Sequence, residues 1–255
     1  MRDFFHHVQV IVDEAHGLGI FGKSNPFDLE INEKKKNLED SSSRCSQESV
    51  QFGGTGVIAA LNLENHSSLL ASVYTFGKAA GCHGAVICAS KIVTEYLVNY
   101  ARPFVYSTAL PPHSIATINS SYDTMISQEG EQLRDHLFFL VRFFQSKFIN
   151  ALKHIGVDSF HNILLPSPSP IQAILCPGNE ECIHMAKVLR DEYNFDVYPI
   201  RSPTVPNGSE RIRIIIHSHN TSNDVLRLVD ALIIFLKTSG STSIAISKQV
   251  SRSKL

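Results

Sequence analysis

The sequence has no excess of charge of either sign. Its 255 residues carry 23 Lys and Arg against 24 Asp and Glu, a formal net charge of -1, which removes the electrostatic case for a nucleic-acid partner. It has no long apolar run either. The longest strongly apolar stretch, Leu137 to Phe144, is broken by Arg142 and is far too short to span a bilayer, so no membrane insertion is expected. No signal peptide is expected at the opening. The five cysteines, Cys45, Cys82, Cys88, Cys176 and Cys182, are odd in number and lack metal-ligand spacing. They read as reduced thiols of an intracellular protein, with no metal site, and Cys82 is placed to line a pocket. What is present in quantity is hydrophobic residue content, 43%, enough for one large core or two modest ones.

The apolar segments are short and alternate in kind. Val8 to Val12 reads as a buried strand ending in Asp13-Glu14-Ala15-His16-Gly17. A core strand so near Met1 leads us to expect that an N-terminal part of its domain is missing. Residues 28–50 are polar, with Glu33-Lys34-Lys35-Lys36 and Asp40-Ser41-Ser42-Ser43, and read as a solvated loop. A short helix over Gly56 to Leu63 leads to a strand from Leu69 to Tyr74 and a second from Gly84 to Ala89. Lys91 to Tyr100 reads as a helix, Phe104 to Thr108 as a strand stopped by Pro111-Pro112, and two long helices cover Pro112 to Ser127 and Glu131 to about His154. From Ile171 the pattern becomes short strands (Ile171 to Leu175, Val197 to Ile200, Ile212 to Ile216) alternating with helices at Glu180 to Tyr193 and Asn223 to Lys237. The expected organisation is α/β: a part of a large domain with a mostly parallel sheet over 1–128, a connecting helix and small α/β domain over 129–238, and a flexible tail over 239–255.

One stretch organises the rest. Thr75-Phe76-Gly77-Lys78-Ala79-Ala80-Gly81 lies between the two apolar runs, so Lys78 is expected in the turn joining two strands. Flanking glycines give its amine room to approach a flat ligand, and carbon-rich surroundings favour the neutral amine that a Schiff base needs. Asp13 is expected at a strand end of the same sheet. A carboxylate plus a Schiff-base lysine is the minimal kit for pyridoxal phosphate, the carboxylate holding the pyridine nitrogen protonated. His16, three residues on, is within sequence reach of the same ring. The plainer alternatives are a surface lysine in a glycine turn and a histidine satisfied by backbone.

Further motifs extend the pattern. Val12 to Gly17, Thr75 to Lys78, Tyr106-Ser107-Thr108-Ala109-Leu110-Pro111-Pro112, Ile200-Arg201-Ser202-Pro203-Thr204-Val205-Pro206 and Arg211-Ile212-Arg213 resemble, in order, the motifs of the α-oxoamine synthases, to about Lys237. The resemblance implies the pyridoxal-phosphate transferase fold type I. Within the family the chain is most similar to the enzymes that condense L-alanine with pimeloyl-CoA in biotin synthesis; glycine- or serine-using members and a non-catalytic partner chain are the alternatives. It implies that Lys78 is the Schiff-base lysine and the base for the alanine α-proton, that Asp13 pairs with the pyridinium nitrogen, that His16 bonds the ring's phenolic oxygen and that Thr75 holds the phosphate. Ser107 and Thr108 would touch the phosphate of a neighbouring subunit in a homodimer. Arg213 would receive the amino-acid carboxylate, and Thr204 with Arg201 would line the substrate pocket. The pattern departs from the family in lacking a glycine-rich phosphate turn and a ring-stacking side chain, in the long interval between Asp13 and Lys78, and at Ala80 and Cys82-His83.

Two other motifs compete or add. Gly17-Leu18-Gly19-Ile20-Phe21-Gly22-Lys23-Ser24 satisfies a phosphate-loop pattern, and Asp13 to His16 spells an Asp-Glu-Ala-His box. Their order is wrong for an ATPase, and Pro26 with a polar run replaces the helix that should follow. The sequence ends Ser253-Lys254-Leu255, the tripeptide read by the peroxisomal import receptor, so a peroxisomal location is expected, with the cytoplasm as alternative.

Overall fold

The structure, a computed structural model, describes residues 8–22, 53–157, 160–176 and 178–238. The polar loop at 28–50, Lys23, Ser24, Pro26, Cys45 and the 239–255 tail with its terminal tripeptide lie outside the described residues. The chain forms two compact units, divided between Arg134 and Asp135.

In the first unit, β1 (Val10–Asp13), β2 (Leu69–Thr75) and β3 (Ala85–Ala89) form a sheet in the order β1-β2-β3. β1 runs parallel to β2, with Asp13 opposite Val73. β3 runs antiparallel to β2, with Thr75 opposite Ala85. The expected parallel character therefore resides in β1 and β2, because a loop as short as 76–84 can only return its chain antiparallel. The described helices of the unit include α1 (Val57–Ala60), α2 (Lys91–Tyr100), α3 (Arg102–Val105) and α4 (Pro112–Ile126).

The strand expected over Phe104 to Thr108 is not formed. The segment begins as the helical turn α3, with Pro103 in its first turn, where a missing N–H costs nothing and the fixed φ suits a helix. Ser107 Oγ then donates to Pro103 O at 2.6 Å, closing the turn. Aromatic and β-branched content signalled a strand, and the proline decided otherwise.

The second unit holds β4 (Ile171–Leu175), β5 (Tyr198–Ile200) and β6 (Arg211–Ile215) as an antiparallel sheet in the order β4-β6-β5. Its helices include α6 (Asn179–Asp191) and α7 (Ser222–Thr238), and the chain passes from one unit to the next within α5 (Gln128–His154). Period-two burial in β6 puts Ile212 and Ile214 in the core and Arg211 and Arg213 on the opposite face. Leu140, Phe144, Phe148 and Leu152 recur at helical spacing along α5 and are fully buried, as are Ile174, Met185, Leu189 and Leu232. Gln172 is also fully buried and is satisfied: its Nε2 donates to Ser167 O and Ser169 O, and its Oε1 accepts from Gln145 Nε2. Among the described residues no helix is long and apolar enough to cross a membrane.

Candidate functional site

Lys78 stands in the loop that joins β2 to β3, and that loop is tied shut by its own backbone. Phe76 N donates to Gly84 O at 2.9 Å, Cys82 N to Phe76 O at 2.7 Å, and Gly81 N to Lys78 O at 2.9 Å. Gly81 and Gly84 take positive φ, and a Cβ at Gly84 would meet Leu110 Cδ1 at 2.9 Å, so glycine is required there. Beneath the loop, Phe76 and Ala80 sit in a cluster with Leu18 and Met125, and Phe76 meets the Tyr122 ring edge-on at 6.0 Å. Ser121 Oγ donates to Ala80 O at 2.8 Å, fixing the far side of the loop to α4. The lysine is thereby carried on a braced support while its side chain stays exposed. Here the structure corrects one expectation: the described residues do not surround Lys78 with carbon, because Phe76 and Ala80 turn inward and Gly77, Ala79 and Gly81 are exposed beside it.

Cys82, expected to line a pocket, is half-buried in this loop. Its thiol donates to Ala80 O at 3.0 Å and it packs against the Phe76 cluster, so it braces the loop. A cleft of about 210 Å³ on this unit is lined by Leu18, Thr55, Tyr74, Cys88, Tyr122 and Met125. Desolvation pushes the Tyr74 and Tyr122 hydroxyls above the ordinary tyrosine range.

The parallel register brings Asp13 and Thr75 to the same end of adjacent strands. Asp13 is exposed, and its Oδ1 accepts from Ala15 N at 2.8 Å, which orients the carboxylate. Thr75 is half-buried, and its Oγ1 is buried with no hydrogen-bond partner among the described residues. His16 follows Asp13 and is exposed. Ser107 and Thr108 are exposed on the segment after α3, the Ser107 hydroxyl being engaged with Pro103 O.

A residue that sequence reasoning passed over holds this end of the sheet together. Glu14 is buried, and its two carboxylate oxygens accept from Val57 N at 2.8 Å and Ile58 N at 2.7 Å at the start of α1. A Cβ on Gly56 would lie 2.8 Å from that carboxylate, so the glycine lets the acid approach. The signal was present: an acid directly after an apolar run and a glycine-rich segment ahead of a helix that lacks a capping side chain of its own. Glu14 also disposes of the ATPase reading, since its carboxylate is spent on backbone. Among the described residues of the motif, the N–H groups of Gly17 to Phe21 are spent as well: Gly17 and Leu18 donate to Glu14 O, Gly19 to Gly54 O, and Ile20 and Phe21 to Gly17 O.

In the second unit, Arg213 lies half-buried on the outer face of β6, opposite Tyr198 of β5, with its guanidinium carbon 5.8 Å from the ring centroid. Its Nε is buried and has no partner among the described residues. A cleft of about 310 Å³ is lined by Asp196, Tyr198, Arg213, His217 and Asp224 among others. Arg201 and Thr204 are exposed on the turn between β5 and β6. Below that turn, the Cys182 thiol is held below its ordinary range, chiefly by the hydrogen bond from Cys176 and further by the Arg201 charge, while the same bond and burial push Cys176 far up. Thus Asp13, His16, Thr75, Lys78, Ser107 and Thr108 belong to the first unit, and Arg201, Thr204 and Arg213 to the second.

A family profile described as aminotransferase class I and II matches residues 4–232. The chain belongs to this family. Among curated relatives, 8-amino-7-oxononanoate synthase of Ralstonia pickettii is 32% identical over 232 residues, covering 88% of this chain and 45% of the relative. The same synthase of Salmonella paratyphi C is 30% identical over 227 residues, covering 89% and 48%. This aminotransferase-family chain thus spans about half the length of the curated relatives it matches. Its fold matches 8-amino-7-oxononanoate synthase from Francisella tularensis with a TM-score of 0.64 at 24% identity, covering 90% of this chain and 55% of that one. A high-resolution structure of SPT with PLP matches with a TM-score of 0.67 at 23% identity, covering 92% and 49%. The resemblance to α-oxoamine synthases drawn from the motifs holds, and the fold is fold type I.

Proposed function

We propose that this chain takes part in a pyridoxal-phosphate-dependent decarboxylative condensation of L-alanine with an acyl-CoA, pimeloyl-CoA in the first instance, giving 8-amino-7-oxononanoate, carbon dioxide and free CoA. The observation that carries the reading is the convergence at one sheet end of the oriented Asp13 carboxylate, the Lys78 loop and the unpartnered Thr75 hydroxyl. These residues fit the cofactor: an amine to bind it, a carboxylate for its ring nitrogen and an unfilled hydroxyl for its phosphate.

Pyridoxal phosphate supplies an electron sink that makes the α-proton and carboxylate of an amino acid removable. Lys78 would hold the cofactor through Nζ, and its amine would take the α-proton of alanine. Asp13 would keep the ring nitrogen protonated, and the Ala15 N–H fixed on its Oδ1 keeps that carboxylate in place. Thr75 Oγ1 would give its hydrogen bond to the phosphate, and His16 would bond the phenolic oxygen. Arg213 receives the alanine carboxylate, a task that suits the planar donor fork of guanidinium. Arg201 and Thr204 would line the substrate pocket. The partners follow the same logic. The α2–α3 segment exposes Ile92, Tyr96, Tyr100, Phe104 and Tyr106 directly before Ser107 and Thr108, which suits a homodimer whose partner's phosphate those hydroxyls reach. Delivery to the peroxisome is supported by the Ser253-Lys254-Leu255 tripeptide; an N-terminal fluorescent fusion that stays diffuse with and without Leu255 would remove that part.

The test is CoA release from pimeloyl-CoA with L-alanine by the full chain carrying the cofactor. Release that disappears in Lys78→Ala supports the reading. A preference for glycine or serine moves the chain to another α-oxoamine synthase. One observation favours a second reading, a non-catalytic partner chain: Lys78, Asp13 and His16 are all exposed. Cofactor attachment at Lys78 without CoA release would select it.

A further inference from the structure

The surroundings of the Arg213 guanidinium are unusual for a half-buried cation. Two acids share its cleft, and both are engaged elsewhere. Asp196 is held by Arg190 in an ion pair. Asp224 accepts from Thr221 N at 2.9 Å and from Thr221 Oγ1 at 2.8 Å, and stands 3.8 Å from Arg227. Arg213 is in no salt bridge among the described residues, and its Nε is buried without a partner. An orphaned charged donor has to be compensated by something, because leaving it dry costs more than a hydrogen bond returns.

What lies against it is the Tyr198 ring. The two residues are direct cross-strand partners in the β5–β6 ladder, so their side chains leave the sheet on the same face. Tyr198 is 60% exposed, so packing into the core is not what it does. The guanidinium carbon is 5.8 Å from its centroid, within the range where a ring face attracts a cation. A ring face takes up charge but accepts none of the in-plane N–H groups. Those of the terminal nitrogens, which are not buried with Nε, remain for a carboxylate arriving in the guanidinium plane.

We propose that Tyr198 is a positioning residue for Arg213: its ring holds the guanidinium by one side and leaves the in-plane donors for the carboxylate of the amino-acid substrate. This rests on the function proposed above only for the identity of the carboxylate. The hydroxyl plays no part, so Tyr198→Phe is predicted to behave as the native chain. Tyr198→Ala removes the ring, and because the residue is exposed the unit still folds.

The experiment follows the Arg213 Nε–H resonance of the isotopically labelled full chain, assigned by its loss in Arg213→Lys, before and during titration with L-alanine. In the native chain and in Tyr198→Phe a slowly exchanging signal is expected, shifting saturably with L-alanine. In Tyr198→Ala the signal should exchange with solvent at least about tenfold faster, and the affinity for L-alanine should fall about tenfold. An unchanged signal in Tyr198→Ala, or the same loss in Tyr198→Phe, overturns the proposal. A signal that collapses in Tyr198→Ala alone, while L-alanine shifts nothing in the native chain, upholds the positioning and refutes the carboxylate assignment.

Discussion

Strands β4 and β6 of the second unit each bury every second residue, with only Ile215 exposed at the end of β6, whereas in the first unit β1 and β3 bury none and expose Val10, Ile11, Val86 and Ile87. The same difference separates the helices. α7 buries eight residues, including Val225, Leu228, Leu232 and Phe235, while no residue of α2 or α3 is buried although α2 carries Ile92, Val93, Tyr96, Leu97, Val98 and Tyr100 and α3 Phe104 and Val105. The second unit spends its apolar pattern on its own core. The first directs a large part of its pattern at surfaces that the described residues do not cover, and it is the unit that carries Lys78, Asp13 and Thr75. Apolar periodicity therefore marks a helix equally well in both units but reveals burial only where the covering element is among the described residues.

Truncation in the two units should separate them most sharply. Phe148→Ala, deep in the second unit, is expected to cost about 3–5 kcal/mol in a denaturant titration. Ile92→Ala, at 80% exposure in the first, should change stability by less than about 0.5 kcal/mol and reduce self-association in sedimentation. A large loss from Ile92→Ala would mean that α2 is covered after all.

A smaller effect is expected at the polar anchor. Glu14→Ala leaves Val57 N and Ile58 N without their acceptor and should cost about 2 kcal/mol, with faster amide exchange confined to α1 and the loops beside it. Uniform exchange across both units would contradict the local role given to Glu14.

The smallest effect is a pH dependence. Tyr74 and Tyr122 have hydroxyls raised by burial, so the folded state holds their protons longer than the unfolded chain does. Their contribution is complete below the unfolded value of about 10 and is lost as pH rises through the folded values. Thermal scans should therefore show stability falling above about pH 10, and less steeply in Tyr74→Phe. A rise in stability over that window would reverse the sign.

Much of this was legible in the residues. The Leu69 to Ala89 hairpin, the helix over Lys91 to Tyr100 and the antiparallel small sheet's strands stood out because each has a clean period and a turn residue at its end. Phe104 to Thr108 misled because strand-like side chains outnumber the single proline that sets the backbone. That Asp13 ends one strand and that Lys78 follows the next, just beyond Thr75, was readable. Glu14 was not, since a buried acid is recognisable only once the two N–H groups it serves are in place. Nor was Tyr198, whose meaning depends on the β5–β6 register that sets it opposite Arg213.

The central claim is that the braced loop between β2 and β3 presents Lys78 as the residue that binds the cofactor. Loading the full chain with pyridoxal 5'-phosphate, reducing with borohydride and mapping the modified peptide tests it directly. The account predicts a single stable label on Lys78, lost in Lys78→Ala and weakened in Asp13→Ala. A label that falls on other lysines, or a Lys78→Ala chain that labels as fully as the native one, would contradict it.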